Sequence, residues 1–193
     1  MTISKGMDVK SVWSYANRTL TELTLERSIS SSTIEQTQQD KFFELYPNGT
    51  AQCVGEKILI DTVGIKGKII DGISFYLKRV GSPSGKMYAT IMDDNWNIIR
   101  KYYFIDMEDV STTGSFYTAK LGYWATEDII RLFIEADLGA SGDSSNYVEV
   151  GYYQSNVWNG GNFCIQYTSG SKYDYGWDLT FKLTILDCQY TKV

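Results

Sequence analysis

Histidine is absent from this 193-residue chain. That removes the side chain most often used as a general base, and with it serine–histidine and cysteine–histidine nucleophile pairs. Cysteine is scarce: Cys53, Cys164 and Cys188 are the whole set. No two of them stand at metal-ligand spacing, so zinc sites of the usual kinds are excluded and neither a metal nor a cofactor is expected. Cys164 and Cys188 sit in apolar, strand-like contexts, which reads as buried free thiols, with one disulfide as the alternative. Long apolar runs are lacking too. Leu132-Phe133-Ile134 is typical, far short of the roughly 20 residues of a membrane span. Met1–Lys10 is polar, unlike the apolar stretch of a secretory signal peptide. Positive charge is thin, 18 Lys and Arg against 23 Asp and Glu for a net charge of −5. Lys78-Arg79 and Arg100-Lys101 do not extend into a basic patch, which argues against a nucleic-acid partner.

What is present reads as two regions. In residues 1–40, Val9, Val12, Trp13 and Ala16 share helical spacing, so a short helix is expected over Asp8–Tyr15, with Asp8 near its start. Ser28–Asp40 is rich in Ser, Thr and Gln and reads as an extended arm or spacer, because such a composition buries no core. From Lys41 to the end the chain reads as successive short strands: Gln52–Ile60, Lys68–Val80, Lys86–Met92, Ile98–Ile105, Ser115–Leu121, Ile129–Ala136, Val148–Gln154, Phe163–Thr168 and Asp178–Cys188. Leu179, Phe181, Leu183 and Ile185 alternate with Thr180, Lys182 and Thr184, the period of a half-buried strand. The breaks carry turn residues, as in Gly81-Ser-Pro-Ser-Gly85 and Asn159-Gly-Gly-Asn162. Eight or nine antiparallel strands without a long helix predict an all-β sandwich or jelly roll over 41–193.

Candidate chemistry is sparse. A glycosidase needs only two carboxylates, for which Glu135, Asp137, Glu149, Asp174 and Asp178 are available; solvated turns and strand edges explain them better, and no enzyme is expected. Asp93-Asp94-Asn95, and Asp137 with Asp143, offer oxygen ligands for calcium, or plain Asx turns. Aromatic residues, 15% of the chain, are more informative. Tyr153 and Trp158, and Tyr173, Tyr175 and Trp177, stand beside Gly, Asn, Ser and Asp, where exposed rings stack on sugars or anchor interfaces.

Val12-Trp-Ser-Tyr-Ala-Asn-Arg-Thr-Leu-Thr21 resembles a VWSYxxRTLT segment that recurs in structural proteins of phages and related viruses, among them fibres and decoration proteins. Phe75, Leu77, Lys78, Gly81-Ser82-Pro83, Gly85, Met87, Ala89 and Ile91 are similar to a pattern of carbohydrate-binding-like jelly-roll modules. Lys78-Arg79-Val80-Gly81 and Met87 depart from that pattern. Trp177–Leu183 is similar to the closing strand of such modules. The resemblance implies a virion structural protein on the particle surface, a capsid decoration protein or short fibre. It would dock on capsid or other virion proteins through Val12, Trp13, Tyr15, Arg18 and Leu20, as a homo-oligomer for which a trimer is expected. The alternative it implies is a carbohydrate-binding module acting in adhesion, with surface glycans as partner.

Overall fold

The computed structural model describes residues 7–13, 20–46, 51–137 and 140–192. They form fourteen strands and a single 3₁₀ turn at Met107–Asp109. Eight strands build a jelly roll: β3 (Lys41–Leu45), β4 (Ala51–Leu59), β5 (Ile69–Val80), β6 (Lys86–Asp93), β7 (Ile98–Asp106), β8 (Ser115–Trp124), β9 (Ile129–Ala136) and β10 (Tyr147–Tyr153). One sheet runs β3-β10-β5-β8 and the other β4-β9-β6-β7. Successive strands alternate between the sheets except at the β6–β7 hairpin, which stays within the second. β11 (Gly161–Tyr167) and β12 (Lys172–Asp174) lengthen the second sheet beside β4.

The first sheet is widened by β1 (Met7–Trp13), β2 (Leu20–Gln36), β13 (Asp178–Leu179) and β14 (Phe181–Lys192). β14 pairs with β5 from Phe181↔Phe75 to Leu186↔Ile69. β10 pairs with the far end of β5, from Val150↔Leu77 to Tyr147↔Val80, then leaves it to pair with β13. The sheet therefore forks at Thr180. Its carbonyl accepts the Tyr76 amide at 3.3 Å, its amide donates to Gly151 at 3.0 Å, and its hydroxyl donates to the Gln38 carbonyl at 2.7 Å.

The core lies between the sheets. Phe181, Leu183 and Ile185 of β14 face Ile58, Leu132 and Phe163 of the second sheet across one continuous buried cluster. The burial of β14 alternates over Phe181–Ile185 and that of β8 over Ala119–Trp124, as a one-face-buried strand requires. A second, smaller buried cluster lies on the outer face of the second sheet: Cys53, Met92, Phe133 and Cys164, with Trp96 packed on it.

Two N-terminal expectations fare differently from the strands. Of the helix expected over Asp8–Tyr15, Asp8–Trp13 belongs to strand β1, which pairs with Leu20–Leu25 of β2. A helix of about two turns is marginal alone, whereas the β2 ladder satisfies the backbone. Tyr15 lies outside the described residues. Ser28–Gln36, read as spacer, is paired strand: β2 matches β14 from Gln36↔Phe181 to Leu25↔Lys192. The composition was misleading because Arg27–Gln36 contributes ladder bonds rather than core, with only Ile34 and Gln36 of these residues turned toward the interior.

Gly55 shows how close the outer cluster packs. A Cβ there would stand 2.2 Å from the Leu132 carbonyl oxygen and 2.8 Å from the Phe133 ring. Gly55→Ala is expected to cost about 1–3 kcal/mol or more through forced strand displacement, measured as a lower urea midpoint.

Candidate functional site

Residues 173, 175 and 177 follow at every second position of extended chain, so their rings emerge on one side. The chain here continues to pair with β11: Tyr175 donates to the Phe163 carbonyl at 2.8 Å and Phe163 to the Trp177 carbonyl at 2.8 Å. Tyr175 and Trp177 stack at 4.6 Å and 11°. Tyr152, arriving from β10, stacks on Trp177 at 5.4 Å and on Phe163 at 5.1 Å. Each such pair adds about 0.5–1.5 kcal/mol beyond its area. The hydroxyls of Tyr167 and Tyr175 stand 2.9 Å apart, and that bond, helped by burial, pushes the Tyr175 phenol up to about 12. The row closes the side of the sandwich where the β11–β12 edge meets β10 and β13.

Of the five rings singled out from sequence, three converge here. Tyr173 ends the row with 51% of its surface exposed. Trp177 has its faces taken by Tyr175 and Tyr152, so it is a packing element rather than a stacking platform. Trp158 turns inward and meets Phe181 edge-on at 5.0 Å and 78°. Tyr153 stands opposite Asp178 in the β10–β13 pairing, one residue along from Tyr152 and so on the other face of the strand. Beyond Tyr152, a depression of about 320 Å³ lies against β3, lined by Phe42, Phe43, Glu44 and Tyr46.

The carboxylates considered for catalysis mostly serve neighbours. Glu135 binds Lys101 at 2.5 Å and Thr90 at 3.0 Å, and Glu149 binds Lys78 at 2.7 Å. Asp174 receives the buried Arg131 guanidinium at 3.0 Å. Asp178 accepts the amides of Val157 at 2.6 Å and Trp158 at 2.9 Å. Asp93 and Asp143 each accept a backbone amide within their own turns, Asn97 and Ser145 respectively. Among the described residues no group of three or more metal-ligating side chains gathers. Cys53, Cys164 and Cys188 are free thiols, the first two buried.

Of the docking residues proposed from sequence, Val12, Trp13 and Leu20 fall on β1 and β2. Val12 pairs with Thr21 and Trp13 with Leu20; Tyr15 and Arg18 lie outside the described residues. Below this hairpin, Arg27–Thr33 are exposed at seven consecutive strand positions, so neither face of β2 is covered there. A patch that sequence reading missed adjoins it on the outward side of the first sheet. Trp124 is 62% exposed and Ile29 40%. Ile69, paired with Trp124 and with Leu186, and Cys188, paired with Ile29, join them. A depression of about 160 Å³ is lined by Arg27, Gly67, Ile69, Trp124, Leu186 and Cys188. Its sequence signal was the phase of β8, where Trp124 falls on the same side as Thr118 and Lys120, opposite the buried Ala119 and Leu121.

No family model matches the chain, and no curated protein matches it. Among solved structures the chain is similar to one in the structure of the infectious bursal disease virus Gx strain, with 8% identity and a TM-score of 0.37, over 94% of this chain and 37% of that one. It is also similar to the enzymatically active domain of tailspike protein 4 of bacteriophage CBA120, with 9% identity and a TM-score of 0.26, over 77% of this chain and 17% of that one. The chain thus spans well under two thirds of either.

Glu56 is the most perturbed acid beside the aromatic row. It is fully buried and accepts the Leu179 amide at 2.8 Å, tying β4 to β13 across the two sheets. Burial raises its carboxyl well above 4.5; the Leu179 bond opposes this, while Asp178 and Asp174 add to it. Burial raises Asp178 above 3.8 as well. An acid whose folded pKa exceeds its unfolded one contributes stability fully present below the unfolded value and lost as pH rises through the folded one. Glu56→Gln is therefore expected to match the parent near pH 4 and to exceed it at pH 8, read from urea midpoints across that range.

Proposed function

We propose that this protein is a virion structural protein that works by assembly, carrying a jelly-roll body on the particle surface and docking through its N-terminal β1–β2 hairpin. The observation that carries the reading is the run of seven exposed strand residues at Arg27–Thr33. A strand wet on both faces gains nothing from core burial. It is held by one ladder with β14, and uncovered strands of this kind are ready templates for another chain. The hairpin above it brings Met7↔Leu25 and Val9↔Leu23 together as apolar cross-strand pairs. The resemblance of Val12–Thr21 to segments of phage structural proteins supports a virion as the setting.

Deletion of residues 1–26 tests this. It removes β1 and the hairpin while leaving Arg27–Gln36 paired with β14. In cells producing the virus, the truncated chain is expected to stay folded by circular dichroism and to be lost from purified particles, while the full chain sediments with them. Normal incorporation of the truncated chain refutes the docking role.

A second reading, carbohydrate binding in adhesion, draws on Tyr173, the one ring of the row with half its surface free. On a glycan array, Tyr173→Ala is expected to abolish a signal that Trp124→Ala leaves intact. No signal from the parent chain, or one indifferent to Tyr173, counts against it.

A further inference from the structure

We propose that β2 strands of two copies of this chain pair edge to edge over Arg27–Glu35, antiparallel about a two-fold axis that passes through Ser31. The inference deepens the assembly reading, on which it rests for taking the uncovered strand as an interface, and it names the partner.

The ladders leave one edge of β2 open. Leu25 pairs with Lys192 of β14 on one edge and with Met7 of β1 on the other. From there β14 follows its edge as far as Gln36↔Phe181, whereas β1 begins at Met7. Arg27–Glu35 therefore presents nine residues with no ladder partner on the outer edge among the described residues. Proteins that must keep such an edge free shorten it, bulge it, or place proline or charge in its middle. Ser28-Ile-Ser-Ser-Ser-Thr-Ile34 has no charge, proline or glycine, and its register with β14 runs without a bulge.

Side-chain direction and charge choose the register. Opposed residues of an antiparallel ladder point to the same face, so a strand paired with its own copy has the two-fold pass through a residue rather than between two. The charges of the segment are Arg27 and Glu35. They lie an even number of positions apart, both on the outward face with Ile29, Ser31 and Thr33, and their midpoint is Ser31. An axis there sets Arg27 of each copy opposite Glu35 of the other, twice. It also sets Ile29 opposite Thr33 and Ser30 opposite Ser32. Moving the axis by one residue either way takes both charge pairs out of direct opposition. Parallel stacking in register would oppose Arg27 to Arg27 and Glu35 to Glu35, which is destabilising.

Both charges are available to a second copy. Among the described residues Arg27 meets no carboxylate, and its guanidinium donates to Cys188 Sγ at 3.9 Å. Glu35 holds Lys182 at 3.2 Å with about half its side chain exposed, and a carboxylate has lone pairs for both cations. Exposure of every side chain from Arg27 to Thr33 leaves room for the neighbouring strand. An isologous contact of this kind closes on itself, so the product is a dimer rather than a fibre.

The test uses the full-length chain in solution. Sedimentation equilibrium is expected to give a dimer. Arg27→Glu should weaken it about tenfold by opposing like charges at both ends. Adding Glu35→Arg together with Lys182→Glu, which preserves the pair within the chain, should restore it. A residue on the axis meets its own copy at a Cα separation a disulfide can span. In a Cys188→Ser background, which removes the native thiol that is not buried, Ser31→Cys is expected to cross-link two chains on oxidation. Thr33→Cys, also exposed but opposite Ile29, is not. A monomer, a trimer, a dimer indifferent to the charge swap, or a Ser31→Cys chain that cross-links no better than Thr33→Cys overturns the proposal. So does a monomer that dimerises once residues 1–6 are removed, since the chain's own N-terminus would then hold the edge. A monomeric full-length chain that still needs residues 1–26 to join particles would refute the pairing and leave the docking reading standing. A cross-linked dimer whose truncated form joins particles normally would do the reverse.

Discussion

A β-strand has two hydrogen-bonding edges, and β5 uses both. β8 takes one edge over most of the strand; β14 and then β10 share the other. Two strands can share one edge only if one of them veers away, and Thr180 is where the wedge is driven in, bonded on one side to Tyr76 and on the other to Gly151. Gln36, itself buried, reinforces the fork by donating to the Leu179 carbonyl at 3.1 Å. An eight-stranded jelly roll is thereby opened to admit the chain's own first and last long strands. Because β5 starts at Ile69 while β14 runs on to Lys192, the inserted strands must outrun the sandwich. The exposed ribbon follows from that difference in length.

The body of the fold was legible. The nine runs expected between Gln52 and Cys188 correspond to β4 through β11 and to β13–β14, because each is an apolar run bounded by turn residues, with clear alternation in β14 and β8. Leu179, Phe181, Leu183 and Ile185 are all in the core. The N-terminal strands were not legible for the converse reason. β2 buries little, so Ser28–Thr33 has no hydrophobic period to read, and its state is decided by a partner about 150 residues away in sequence. β3 was overlooked because Phe42 and Phe43 are adjacent rather than alternating, one toward each side of a short edge strand.

The candidate site was half legible. Tyr173, Tyr175 and Trp177 were singled out as rings beside Gly and Asp, and their alternate spacing brings them to one side of the extended chain. Nothing in the spacing could say that Tyr152 would come from another strand to cover Trp177, or that Trp158 would turn in against Phe181. Tertiary neighbours decide whether a ring face is free, and local sequence does not hold that information. The buried charges were equally silent. Arg131, 3% exposed, carries no mark of its burial in the sequence. It lies under Trp96 at 4.4 Å, with Asp94 at 2.7 Å and Asp174 at 3.0 Å as its counter-ions. Removing both counter-ions would leave the buried guanidinium uncompensated out of water, a cost of several kcal/mol.

Trp96 itself sits in the left-handed region at φ 67°, a conformation that a bulky residue adopts only when its surroundings hold it there. The bonds from Asn97 to the Asp93 carboxylate do so, and the indole is thereby folded back over Phe133 and the small cluster that contains Cys53 and Cys164. Burial raises both thiols above their ordinary range, so neither forms the reactive thiolate readily. The hairpin tip therefore helps cover a cluster that holds two buried sulfurs. Reaction of either with an alkylating reagent requires that cluster to open, which makes the two thiols internal reporters of opening on this side of the sheet.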